Sequence, residues 1–104
     1  MDFISTIIID FEGTKEEISE KNYKDILKSL EYGITSSEND IDVIDERTEE
    51  LIENFPSRSD ENRAEMEKKY ESLQQQRKEN RKFIRKCENT IELIQKFAEI
   101  REWI

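Results

Sequence analysis

Histidine is absent from the 104 residues. This removes the side chain most often used as a general base near neutral pH and as a transition-metal ligand. Cys87 is the single cysteine, so no intrachain disulfide, CxxC redox pair or structural zinc site can be built within one chain. Two glycines and one proline cannot supply the repeated turns of a β-sandwich or barrel. No long apolar run exists either. The opening MDFISTIIID carries an acid where a signal peptide carries bases, and its apolar stretch falls far short of the roughly 20 residues of a membrane span. These absences point to a soluble, cytoplasmic, helical protein with no membrane partner.

What is present is charge. Acids number 26 and bases 17, for a net charge of −9, while 34% of residues are apolar. A chain of this size is expected to form a single domain over residues 1–104. Thr14 and Glu17 have capping-box spacing, and Ile18, Ile26, Leu27 and Leu30 recur on one face with Tyr23 beside them, predicting a helix over about 14–32 that ends at Gly33. Thr35 and Glu38 suggest a second box, followed by Ile41, Ile44, Thr48, Leu51 and Phe55 at heptad spacing, a helix over about 36–55. Pro56 cannot continue that helix, and Ser57 or Ser59 can cap the next, over about 60–104. Its seam reads Met66, Tyr70, Leu73, Arg77, Asn80, Ile84, Cys87, Ile91, Ile94, Ala98, with Arg77 and Asn80 as polar interruptions.

A second apolar row, Phe83, Leu93, Phe97, Ile100 and Ile104 with Trp103 at its end, is more than one partner helix can cover. The expected fold is therefore all-α, an antiparallel helical hairpin or coiled coil with a kinked first arm. Residues 1–11 remain open between two readings: Ile4, Ile7, Ile8 and Phe11 fit a helix packed over the second row, and TIII fits a strand. A strand there would lack a partner in an otherwise helical chain, and would have to pair with a second copy or another protein.

Charge is sorted along the sequence. Residues 36–61 carry a net of −8 and residues 77–86 a net of +5. The basic island stacks Arg77, Arg81 and Arg85 at four-residue spacing beside Lys78, Lys82 and Lys86, a geometry able to grip phosphates. The overall negative charge and the lack of an RNA-binding signature weigh against nucleic acid and favour pairing with an acidic helix. An antiparallel dimer can bring that acidic helix against the island of its mate, and Arg77 and Asn80 fit a role in fixing register.

The acidic stretch Glu38, Asp40, Asp42, Asp45, Glu46, Glu49, Glu50 and Glu53 supports a rival reading, the imitation of a phosphate row by an inhibitor of a nucleic-acid-binding or defence enzyme, a device of small viral proteins. NDIDVID alternates oxygen ligands, but a calcium loop counted from Asp40 would need glycine where Asp45 stands and glutamate where Leu51 stands. No metal, cofactor or catalytic residue is expected. Cys87 on the seam reads as a buried reduced thiol, or as an interchain disulfide if chains pair there. Phe97, Ile100, Trp103 and Ile104 form an aromatic end that can anchor a partner or pack within the chain.

The segments TKEEI and KKYESL look faintly similar to the helical-hairpin substrates of Gram-positive type VII secretion. Their Trp-x-Gly turn is missing, since this turn reads Phe55-Pro56-Ser57, and no family is assigned. The expectation is a non-catalytic acidic coiled-coil adaptor or regulator that self-associates, as a homodimer or higher homo-oligomer, and binds a protein partner through the acidic helix or the aromatic end. The alternatives are the phosphate-imitating inhibitor and a structural coiled-coil subunit of a larger assembly.

Overall fold

The computed structural model describes residues 6–54 and 60–103. The turn expected at Phe55, Pro56, Ser57 and Ser59, together with Ile4 and Ile104, lies outside the described residues. The chain is mostly helical but not all-α: strands β1 (Thr6–Phe11) and β2 (Thr14–Ser19) precede helices α1 (Tyr23–Glu53) and α2 (Asp60–Ile100). It divides into two compact units, Met1–Ile34 with Arg85–Ile104, and Thr35–Ile84.

In the first unit, β1 and β2 form an antiparallel hairpin with Phe11 opposite Thr14 and Thr6 opposite Ser19. The connection is Glu12-Gly13, with φ of 52° and 79°. Positive φ at both central residues is the type I′ geometry, whose twist matches that of the flanking strands. Period-two alternation then sorts the side chains. Ile7, Ile9 and Phe11 share the inner face with Ile18, while Ile8 opposite Glu17 and Asp10 opposite Lys15 face outward. This corrects two expectations: residues 14–19 are a strand, not the start of a helix, and β1 finds its partner within the chain.

Asn22 links the hairpin to α1. Its side-chain oxygen accepts from the Ser19 amide at 2.7 Å, its amide group donates to the Glu17 carbonyl at 2.8 Å, and its own carbonyl accepts the first helical bond, from the Ile26 amide. Asp25 in the first turn suits the positive end of the helix dipole. α1 then runs through Gly33 and Thr35 to Glu53, so the glycine stop and the second capping box are also corrected. A glycine within a helix costs about 1 kcal/mol, and the apolar periodicity on both sides outweighs it.

The far end of α2 closes with a Schellman motif. The Glu102 amide donates to the Glu99 carbonyl and the Trp103 amide to the Ala98 carbonyl at 2.8 Å, with Glu102 at φ 59° where glycine is usual. The motif turns Trp103 back onto Phe97, with ring centroids 5.2 Å apart, and onto Tyr23, 5.3 Å away. The Tyr23 hydroxyl donates to the Trp103 carbonyl at 3.2 Å. Ile9, Ile18, Tyr23, Leu30, Cys87, Ile94 and Ala98 form this unit's buried core.

The second unit has a thinner core, in which Ile44 and Ser37 are buried and Ile41, Thr48, Leu51, Met66, Leu73 and Ile84 are half-buried. Asp45 meets Arg77, and Leu51 lies beside Met66 and Tyr70. Residue numbers therefore rise along one helix as they fall along the other. No helix among the described residues is long and apolar enough to cross a membrane.

Candidate protein-interaction surface

Within the second unit, Leu51 and Ile52 of α1 and Met66 and Tyr70 of α2 line a groove of about 440 Å³ rimmed by Glu67 and Glu71. Leu51 and Met66 hold the seam. Ile52 lies one step of about 100° around α1 from Leu51, which leaves it 57% exposed, and Tyr70 is 43% exposed. Leu51 and Met66 also line a hollow shared with Arg47, Glu50, Lys69 and Leu73. The seam is thus open on two sides here, because among the described residues no third element of this unit covers it. On the side of the first groove, apolar positions beside Glu67 and Glu71 suit a partner that brings both aliphatic surface and positive charge.

The acidic residues separate by role. Glu38, Asp42, Glu46, Glu49 and Glu53 recur at steps of four, four, three and four along α1, and all are exposed. Among the described residues none of the five makes an ion pair. Glu50 lies instead on the side of the second hollow. Asp45 is half-buried, with its Oδ1 accepting from Arg77 Nε at 2.8 Å. The polar interruption in the α2 seam is therefore satisfied within the chain, and Asn80 donates to the Gln76 carbonyl of its own helix.

The basic island is only partly engaged. Arg77 serves Asp45, and Lys86 reaches Glu12 at 3.3 Å. Lys78, Arg81, Lys82 and Arg85 are exposed and make no ion pair among the described residues. In the first unit, the Lys86 contact brings the hairpin tip onto α2 beside Asn89 and Thr90, around an open hollow of about 460 Å³.

Cys87 is fully buried, and its thiol pKa is raised above the ordinary 9.0 by desolvation first, then by the charges of Glu12 and Glu88. A thiol held protonated and out of solvent is a poor nucleophile. The aromatic end does not form one exposed patch. Phe97 and Trp103 are half-buried, with Trp103 against both Phe97 and Tyr23, the Arg101 guanidinium sits 5.4 Å from the Phe97 ring, and Arg101 Nε is buried without a hydrogen-bond partner among the described residues. Ile100 is 77% exposed, and Ile104 lies outside the described residues.

Sequence reasoning placed Met66, Tyr70 and Leu51 on seams but passed over Ile52. The available signal was an apolar residue directly after a seam leucine in an otherwise acidic stretch. Among the described residues no cluster of three or more acids or cysteines is placed to hold a metal ion. Comparison of the chain with protein families, with curated proteins and with solved structures finds no match.

Proposed function

We propose that this chain is a non-catalytic protein-interaction module, an antiparallel helical hairpin of the coiled-coil kind that self-associates and binds a protein partner. The supporting observation is the acid-rimmed apolar groove, in which Ile52 and Tyr70 stay exposed beside Glu67 and Glu71. A unit with one narrow buried stripe gains stability when a second surface covers its open seam. The absence of histidine and the burial of the lone thiol favour binding over catalysis.

Sedimentation over a wide concentration range tests the reading. The native chain is expected to associate reversibly. Ile52→Ser combined with Tyr70→Ser is expected to leave a monomer with unchanged helical circular dichroism. A native chain that stays folded and monomeric throughout contradicts self-association.

A second reading draws on the exposed row Glu38, Asp42, Glu46, Glu49 and Glu53, which at 1.5 Å per residue extends over roughly 22 Å. Such a row suits an inhibitor that occupies the phosphate-binding track of a nucleic-acid enzyme. Charge reversal at Glu46, Glu49 and Glu53 separates the two readings. It abolishes capture of such an enzyme if imitation is the function, and leaves self-association through the groove intact.

A further inference from the structure

Glu67, Glu71, Gln74, Lys78 and Arg81 recur on α2 at steps of four, three, four and three. This is a second heptad row one residue around the helix from the seam. Glu67 and Glu71 rim the groove, and all four charged members are exposed. The row reads acid, acid, glutamine, base, base. Glu71 and Lys78 stand about two turns apart, roughly 10 Å along the axis, too far to pair with each other. Among the described residues the only ion pair in the row is that of Glu67 with Arg63, at 3.6 Å between exposed side chains.

Resting on the self-association reading above, we propose that the groove's occupant is the basic half of the same row in a second copy, packed antiparallel about a two-fold axis near Gln74. An isologous interface repeats each contact twice, and this row meets its opposite charges only when inverted. Glu67 and Glu71 of one copy lie opposite Arg81 and Lys78 of the mate. A parallel alignment sets like against like. The long stems of Lys78 and Arg81 cover Ile52 and Tyr70, while their charged heads reach the acidic rim. An arginine over the Tyr70 ring adds a cation–π contact. The apolar contacts supply stability and the charges choose orientation and register.

Two variants test the arrangement. Glu67→Lys with Glu71→Lys makes the row wholly basic, and Lys78→Glu with Arg81→Glu makes it wholly acidic. Each variant alone is expected to raise the dimer dissociation constant by on the order of a hundredfold, since every inverted contact becomes repulsive. An equimolar mixture of the two restores a one-to-one pair, and the chain carrying all four reversals again pairs with itself. Helical circular dichroism of each variant checks that the fold is kept. A native dimer that survives in both variants, or a mixture that fails to pair, overturns this register while leaving the module reading in place. A native chain that is monomeric overturns both this register and self-association, and leaves the groove to a different protein.

Discussion

Two glutamates hold a backbone conformation that glutamate resists, and the clearer test is Glu102. At φ 59° it occupies the left-handed position of the Schellman motif that ends α2. A side chain there costs about 1–2 kcal/mol, from the approach of Cβ to the following carbonyl oxygen. Glycine removes that cost but loses about 0.4–1 kcal/mol through the greater freedom of the unfolded chain. Glu102→Gly should therefore stabilise the protein by roughly 1 kcal/mol, which corresponds to a rise of about 4–8 °C in Tm for a domain of this size. Glu102 is exposed, so little contact is lost with its side chain. Glu102→Ala is the control, because alanine keeps Cβ and should leave stability near that of the native chain. Urea midpoints for the three proteins decide the matter. Equal gains from alanine and glycine would place the effect in the glutamate side chain and refute the backbone argument, as would any loss of stability in Glu102→Gly.

Three further outcomes follow from the packing and charge. Gly13→Ala should destabilise by about 1 kcal/mol through φ alone, because a Cβ at Gly13 meets nothing within 4 Å; a neutral result by urea titration would contradict the type I′ assignment. Tyr23→Phe removes the hydroxyl that donates to the Trp103 carbonyl and should cost about 1 kcal/mol, read from the unfolding curve of Trp103 fluorescence. For Cys87 the folded thiol pKa lies above 9.0, so the unfolded chain ionises first and the folded state binds more protons in that range. Stability is then fully present below pH 9.0 and declines as pH rises from there through the folded value; Cys87→Ala should flatten the decline, and an unchanged slope would contradict the assignment.

Much of α2 was legible because nothing competes with its period. From Met66 to Ala98 no glycine or proline interrupts the heptad seam, and Cys87, Ile94 and Ala98 end with no exposed surface. The segment TKEEIS was not legible in the same way. Thr14 and Glu17 satisfy a capping box, whereas Ile18 is the one apolar residue of the six, so no alternation marks a strand. What decides is β1: once TIIIDF is extended, its unpaired edge takes the nearest available segment, and Glu12-Gly13 leaves two residues for the connection. Gly33 misled for a related reason. A glycine stops a helix only if the next residues leave the hydrogen-bond ladder, and Ile41, Ile44 and Thr48 continue the apolar stripe beyond it.

The two units differ in how each covers a pair of helical faces, and that difference is what supports the proposed binding surface. In the first unit a hairpin brings Ile9 and Ile18 to the core, its tip is tied to α2 by Glu12 and Lys86, and the reversed chain end adds Trp103. In the second unit no strand or reversed end is present among the described residues, and Leu51 and Met66 meet with open ground on either side. The same unit carries acids and bases at opposite ends of one α2 row, in which Glu67 alone makes an ion pair among the described residues. Residues that served solubility alone would gain nothing from that order, because interspersed signs keep a surface soluble equally well. Under the proposed pairing, sorted signs beside an apolar seam left open among the described residues would disfavour a parallel copy and favour an inverted one, so cover and charge order both bear on the same face of α2.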